Sequence, residues 1–287
     1  MPSSWLQLSL RADPSALDAV ANFLIERGSP GVVIKKNEVQ AYFPHPGDSA
    51  VQRDVGRFLR GMHRIGPSAI VEGPRWRILK DRNWNSAWRR YFKPQRVGKS
   101  FWVSPPWIRP RLGRRHLVTI EPGMAFGTGT HATTRGCIEF LERVAGFFHG
   151  SAFVALDVGT GSGILAIALA KLGAKSVWAI DNDPVAVNVA RENLHSNGVA
   201  EKVRLSTARL DSIRKSFSVV VANLTAETIL DVARALQKKV AAKGFLVLSG
   251  ILAGKESAVA ARFRANGFRV LRRKREKEWI TLLLRRK

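Results

Sequence analysis

Residues 154–163 read Val-Ala-Leu-Asp-Val-Gly-Thr-Gly-Ser-Gly, an apolar run that ends in a glycine-rich turn. Residues 164–172 continue as an apolar stretch, which Gly173 ends. A strand followed by a glycine turn and a helix places backbone without side chains next to a helix amino terminus. A ligand can approach closely at this point. This stretch therefore predicts a ligand site at the carboxyl end of a parallel strand.

An acidic residue follows this turn at the spacing of a nucleoside site. Asp181 ends the next predicted strand and lies 22 residues after Gly159. A carboxylate at this position can accept hydrogen bonds from both hydroxyls of a ribose. The ligand is therefore predicted to contain adenosine.

Two cofactors fit the loop. Residues 161–166, Gly-Ser-Gly-Ile-Leu-Ala, match the nicotinamide pattern G-x-G-x-x-A, with Asp181 at the required distance. Asp157, however, ends the strand where its charge would repel a pyrophosphate, whereas it suits the ammonium and sulfonium groups of S-adenosylmethionine. We favour S-adenosylmethionine, with a nicotinamide dinucleotide as the alternative and a ligand-free turn as the least favoured interpretation.

Strand and helix patterns alternate from residue 153 onward, which predicts a mostly parallel sheet with helices on both faces. The predicted strands cover residues 154–158, 176–180, 203–206, 219–222, 245–248, 268–271 and 279–284. The last two form an antiparallel hairpin joined by the charged segment 272–278, and one helix is predicted over 227–240. The fold class is α/β with a Rossmann-like sheet.

The first 71 residues show a different order of patterns. Strands are predicted at 5–10 and 69–76, with two short strands within 32–42, and helices are predicted from Asp13-Pro14 to Gly28 and over 49–62. Strands mixed with two helices over this length predict a small α+β, ferredoxin-like domain.

The segment between these regions is basic and aromatic. Residues 72–116 hold 13 Lys or Arg against two acidic residues, and they include Trp84 and Trp88. Such a mixture can bind single-stranded nucleic acid, but large tryptophan side chains are usually buried, so packing against a neighbouring domain is favoured. We predict three parts: a substrate-recognition domain at 1–76, a linker at 77–121 and a cofactor-binding domain at 122–287.

The composition limits the class of protein. The 287 residues carry a formal net charge of +25, which predicts a polyanionic neighbour such as RNA. The single cysteine, Cys137, excludes an internal disulfide framework, and the histidine spacing predicts no metal site. No signal peptide or membrane-spanning pattern is present, so we expect a cytoplasmic monomer with no membrane contact.

The motifs around the loop resemble a known family. The loop and Asp181 resemble motifs I and II of class I methyltransferases. Further blocks are similar to the PrmA family: Pro122-Gly-Met-Ala-Phe-Gly-Thr-Gly-Thr-His-Ala-Thr-Thr134, Gly163-Ile-Leu-Ala-Ile-Ala168, Ala222-Asn223-Leu, Leu248-Ser-Gly-Ile-Leu252, Asn83-Trp84, Trp88, Tyr91-Phe92-Lys93-Pro94 and Gly98. The resemblance runs nearly from end to end.

This resemblance implies an S-adenosylmethionine-dependent enzyme that methylates amines, on lysine side chains or at the amino terminus, of ribosomal protein L11. By their place in the family motifs, Thr134, Gly159, Asp181 and Asn223 are the expected cofactor-binding residues, and the loop argument adds Gly161. The basic surface adds a possible contact with rRNA to the expected partners.

Several alternatives stay open from the sequence. Thr133 and Thr134 also suit a helix N-cap, Asn223 suits a plain turn, and His131 receives no role. No residue is assigned as a general base, so we expect the amine to lose its proton to solvent while Asn223 or backbone carbonyls orient it. Alternative functions are methylation of another protein's lysine, methylation of RNA, and noncatalytic RNA binding. Asn223-Leu-Thr-Ala lacks the aromatic residue that would stack a flipped base.

Overall fold

A computed structural model describes residues 4–45, 50–65, 70–80, 93–121, 131–148 and 150–287. The chain divides into two compact units, Met1–Tyr91 and Phe92–Lys287. Each unit has a hydrophobic core of its own. Within the described residues, no helix is both long and apolar enough to cross a membrane.

The described residues of the first unit form a four-stranded antiparallel sheet with two α-helices. Its elements are β1 (Ser4–Ala12), α1 (Leu17–Glu26), β2 (Val32–Lys35), β3 (Glu38–His45), α2 (Ala50–Ile65) and β4 (Ile70–Lys80). The strand order is β2-β3-β1-β4 with antiparallel neighbours, which is the βαββαβ arrangement of a ferredoxin-like domain. Leu8 and Leu10 of β1 and Leu24 of α1 are buried in its core, as expected from their spacing. The predicted ferredoxin-like domain is confirmed.

The segment predicted as a linker differs from expectation at both ends. β4 continues to Lys80, past the predicted boundary at residue 76. Residues 93–121 contain a three-stranded sheet of β5 (Gln95–Val97), β6 (Phe101–Ser104) and β7 (His116–Thr119). These strands bury apolar side chains in the core of the second unit, so this part of the segment belongs to that unit. Trp84 and Trp88 lie outside the described residues.

The second unit is built around a seven-stranded sheet. After β7 its elements are α3 (Ala132–Gly146), β8 (Phe153–Val158), α4 (Ile164–Lys171), β9 (Ala174–Ile180), α5 (Pro184–Ser196), β10 (Val203–Ser206), β11 (Phe217–Asn223), α6 (Ala226–Asp231), α7 (Ala233–Lys239), β12 (Val240–Leu252), α8 (Glu256–Arg264), β13 (Phe268–Glu276) and β14 (Trp279–Arg286). The strand order is β10-β9-β8-β11-β12-β14-β13. The first five are parallel, and β14 is antiparallel to both neighbours, as predicted.

Two elements of this unit depart from the prediction. The single helix predicted over 227–240 is two helices that meet at Val232, where no glycine or proline marks the break. β13 runs through most of the segment predicted as a connection, because an edge strand needs no apolar side chains to keep its backbone pairing. Its Lys274 pairs with Glu139 of α3 at 2.7 Å, which holds a charged side chain against the sheet.

Candidate active site

The carboxyl ends of three neighbouring parallel strands form the candidate site. β9, β8 and β11 lie side by side in the sheet, so the residues that follow them meet at one edge. Gly159 and Gly161 follow β8, Asp181 follows β9, and Asn223 ends β11. The structure thus brings four of the five predicted cofactor residues to one edge of the sheet.

The glycine loop adopts a backbone that side chains disfavour. Gly159, Gly161 and Gly163 have φ angles of 71°, 53° and 81°, all in the left-handed region. Gly159 and Thr160 donate their backbone N–H groups to the carbonyl of Ile180 at 2.9 and 3.0 Å, which ties the loop to the end of β9. A Cβ on Gly163 would lie 3.2 Å from Cβ of Ala190, so this glycine also permits close packing of α4 on α5.

Asp181 binds the loop directly. Its Oδ2 accepts a hydrogen bond from the Gly161 N–H at 2.8 Å, and its Oδ1 accepts one from the Asp183 N–H at 3.1 Å. Each carboxylate oxygen can accept a second hydrogen bond. Asp181 is thus held in place by backbone donors while it retains acceptor capacity for a ligand hydroxyl.

Asp157 is completely buried beneath the loop. Its Oδ2 accepts hydrogen bonds from Thr160 Oγ1 at 2.7 Å and from the Ala166 N–H at 3.1 Å. Its Oδ1 has no hydrogen-bond partner in the described part of the chain. Burial raises the pKa of this carboxyl to about 7, although the two hydrogen bonds oppose the shift. A positive charge brought near Oδ1 would restore the ionised form.

Asn223 is followed by a tightly packed turn that the sequence did not indicate. Leu224 donates its N–H to the carbonyl of Ser249 at 3.1 Å. A Cβ on Gly159 would lie 2.4 Å from Cδ2 of Leu224, and one on Gly250 would lie 2.2 Å from the Leu224 carbonyl oxygen. Gly250 in β12 therefore leaves room for the Leu224 backbone, and Gly159 in the loop leaves room for the Leu224 side chain.

The start of α3 contributes the fifth predicted residue. His131 is the N-cap, with Nδ1 accepting the Thr133 N–H, so the capping role considered for Thr133 or Thr134 falls to His131. Burial lowers the pKa of His131, whose ring packs edge-on against Trp279. Thr134 is fully buried, and among the described residues its Oγ1 has no hydrogen-bond partner.

A buried polar layer links α3 to the strand ends. A Cβ on Gly136 would lie 2.2 Å from Oγ1 of Thr281, so α3 lies directly on β14. Thr281 Oγ1 lies 2.8 Å from Ser249 Oγ, and Ser249 of β12 pairs with Asn223 of β11. This chain of contacts places the first turn of α3 at the level of Asn223. Burial, and next the nearby Asp157 carboxylate, raise the pKa of the Cys137 thiol far above its usual value.

Sequence reasoning missed four residues of this region: Leu224, Ser249, Gly250 and Thr281. Ser249 and Gly250 lie in the block 248–252, which pointed to the family but carried no assigned role. Leu224 ends the family block that begins at Ala222, where it likewise received no role. Thr281 has no local signal, because its contacts join elements that are distant in sequence.

The comparison with known families decides the relationship. The model of one family, ribosomal protein L11 methyltransferase (PrmA), matches residues 4–287. The chain belongs to the PrmA family. This confirms the predicted family and the prediction of a methyltransferase.

Individual relatives agree with this membership over their full length. A ribosomal protein L11 methyltransferase of Geobacter metallireducens is 39% identical, with 99% of this chain and 98% of the relative covered. One of Desulfosudis oleivorans is 42% identical over 95% of this chain and 93% of the relative. The crystal structure of a ribosomal protein L11 methylase from Lactobacillus delbrueckii subsp. bulgaricus superposes with a TM-score of 0.63 at 31% identity, covering 68% of this chain and all of that one.

Proposed function

We propose that this PrmA family member transfers methyl groups from S-adenosylmethionine to amines of ribosomal protein L11. The observation that carries the proposal is the edge of the sheet where the glycine loop, Asp181 and Asn223 meet. Family membership supplies the substrate, because the relatives that match over their full length are L11 methyltransferases. The reaction belongs in the cytoplasm, where ribosomes are made.

The residues present fit S-adenosylmethionine. Asp181 has spare acceptor capacity for the ribose hydroxyls, and the glycines at 159 and 161 leave backbone open to the ligand. Two buried oxygens, Thr134 Oγ1 and Asp157 Oδ1, lack hydrogen-bond partners among the residues described. Such groups are costly unless something pairs with them, and the ligand carries both a carboxylate and an ammonium group.

The chemistry asks little of the protein beyond positioning. Bound S-adenosylmethionine supplies an electrophilic methyl group on a sulfonium. In this proposal Asn223 orients the incoming amine, whose proton leaves to solvent. His131 is already used as the cap of α3, and we assign no general base. Alignment of amine and methyl group is then the main source of rate enhancement.

Two variants separate binding from turnover. Asp181→Asn loses charge-assisted hydrogen bonds worth about 1.5–3 kcal/mol each, so we expect at least tenfold weaker binding of S-adenosylmethionine in calorimetric titration. Asn223→Ala should leave the glycine loop intact and weaken S-adenosylmethionine binding less than Asp181→Asn does, while it lowers the rate of L11 methylation. Full turnover in Asn223→Ala would remove this residue from the mechanism. Stabilisation by a nicotinamide dinucleotide in place of S-adenosylmethionine would overturn the cofactor assignment.

The substrate is tested by transfer of labelled methyl groups into purified L11 and into whole ribosomes. Mass spectrometry then identifies the modified amines. We expect label in L11 at lysine side chains, at the amino terminus, or at both. Label in rRNA with unlabelled protein would support the RNA methyltransferase alternative. Label in another ribosomal protein would identify that protein as the substrate in place of L11.

We also propose that the first unit docks L11. It has a core of its own and contains none of the residues assigned to the cofactor. A chain lacking residues 1–91 should bind S-adenosylmethionine with unchanged affinity and fail to methylate L11. Methylation of L11 by the shortened chain would contradict this division of roles.

A further inference from the structure

An exposed aromatic ring lies at the end of α3 that faces away from Thr134. Phe147 follows α3 and is 55% exposed. Its ring stacks on Phe245 with ring centres 5.0 Å apart and planes 25° from parallel. The guanidinium of Arg285 lies 5.3 Å from the centre of the Phe245 ring, and its Nε donates to the carbonyl of Lys243 at 3.1 Å. The exposed Phe147 ring and the Arg285 guanidinium thus both pack on the buried Phe245 ring, which links them.

Further arginines share this face of the sheet. Arg269 lies opposite Arg285 in the pairing of β13 with β14, and Arg272 lies opposite Leu283. Directly paired residues share a face, as do residues two apart on a strand, so the three arginines project to the same side. All three are exposed, and none of them forms an ion pair within the described parts of the chain.

The acidic side chains of α3 already have partners of their own. Glu139 of α3 pairs with Lys274 at 2.7 Å, and Glu142 of α3 accepts the backbone N–H groups of Lys99 and Ser100 at 2.9 and 2.7 Å. Residues 255–287 contain 12 Lys or Arg and only three acidic residues. The remaining positive charge repels itself in the free protein, and a polyanion would relieve that repulsion.

We propose that this area binds single-stranded RNA, and we call it the Phe147 surface. Its residues are Phe147, Lys243, Phe245, Arg269, Arg272 and Arg285. Arginines neutralise phosphates, and an exposed phenylalanine ring offers a stacking platform for a base, which is the combination used for single-stranded nucleic acid. A basic protein such as a ribosomal protein does not suit a surface of the same charge.

The Phe147 surface lies far from the candidate active site, so RNA bound there would hold the enzyme without entering the reaction. Phe147 comes thirteen residue steps after Thr134 along α3, which corresponds to about 20 Å at 1.5 Å per residue. A base stacked on Phe147 is therefore far from Asn223. If the proposed function holds, RNA bound here retains the enzyme near ribosomal particles while the methyl groups go to protein; the binding itself does not depend on that function.

The test measures binding of a fluorescent single-stranded oligonucleotide by anisotropy over a range of salt concentrations. Arg269→Gln combined with Arg272→Gln should reduce the slope of log affinity against log salt by about 1.4, since each phosphate contact on a single strand contributes about 0.7. Phe147→Leu should weaken affinity by about tenfold and leave the slope unchanged, because it removes stacking but no charge.

A matched control removes two charges elsewhere. Lys175→Gln combined with Lys202→Gln changes exposed residues on β9 and before β10. These strands lie at the other end of the strand order from β14 and β13. This control should retain wild-type affinity and slope. An equal loss in the control, or wild-type affinity in Phe147→Leu, would overturn the proposal in favour of diffuse charge. Preferential binding to vesicles of anionic lipid with the same dependence on the variants would replace RNA by a membrane.

Methylation of free L11 is measured with the same variants. We expect unchanged rates, because the Phe147 surface lies away from the candidate active site. RNA binding with no methylation by the wild-type protein would refute the proposed function and leave this inference intact. Methylation without RNA binding by the wild-type protein would do the reverse.

Discussion

Replacing Asp157 with asparagine tests whether the candidate site contains a buried, neutral carboxyl. Burial raises the pKa of Asp157 from 3.8 to about 7. At about 1.4 kcal/mol per pH unit, this difference amounts to roughly 4 kcal/mol against the ionised form. Because the folded-state pKa lies above the unfolded one, the folded protein binds more protons between pH 4 and 7. Its stability therefore falls as the pH rises through that range.

The asparagine variant has no proton to lose, so the comparison with wild type isolates this one group. Between pH 5 and 8 the wild type should lose about 3 kcal/mol relative to Asp157→Asn. For a unit of this size, 1 kcal/mol shifts the unfolding temperature by about 2–4 °C, so the relative change is about 6–12 °C. Calorimetry of the second unit's unfolding transition at both pH values measures it. An equal difference between the two proteins at pH 5 and pH 8 would show that the Asp157 carboxyl keeps an ordinary pKa in the folded protein.

The same variant connects Asp157 to the cofactor. A cation bound near the carboxyl favours its ionised form, so binding of S-adenosylmethionine near pH 6.5 should release a proton from the wild type. Calorimetric titration in buffers of different ionisation enthalpy detects this proton, and Asp157→Asn should release none. Equal proton release by both proteins would assign the proton to another group.

Three further changes test the packing around the site. Gly159→Ala places a Cβ 2.4 Å from the Leu224 side chain at a φ of 71°. It should lower the unfolding temperature more than Gly113→Ala, where φ is 56° and no atom lies within 4 Å of the added Cβ. Equal losses would show that only the backbone strain matters. Gly136→Ala should destabilise the protein by more than about 1 kcal/mol, because its Cβ would lie 2.2 Å from Thr281 Oγ1, despite the better helix propensity of alanine. Gly146→Ala has no atom within 4 Å of the added Cβ and should be neutral or stabilising. Chemical denaturation compares the two variants. Cys137 should resist thiol reagents in the folded protein at pH 8, since burial disfavours its thiolate, and rapid modification of native protein would contradict that burial.

Local signals in the sequence predict much of this fold. An acidic N-cap followed by a proline predicts the helix after Asp181, and in α5 the Oδ1 of Asp183 accepts the Val185 N–H at 2.8 Å. The glycine loop is predicted in the same way, from residues that adjoin one another. Caps, proline and glycine act on the backbone within a few residues, so their effect follows from sequence order.

The order of residues along the chain was enough to predict the two folds, the family and the residues that follow β8, β9 and β11. The burial and raised pKa of Asp157, and the position of Leu224 against Gly159 and Gly250, emerge only when the chain is folded. Folding also stacks the exposed ring of Phe147 on Phe245, whose ring contacts the guanidinium of Arg285. These features depend on contacts between residues far apart in sequence, and their energies come from burial and packing, which no local pattern encodes.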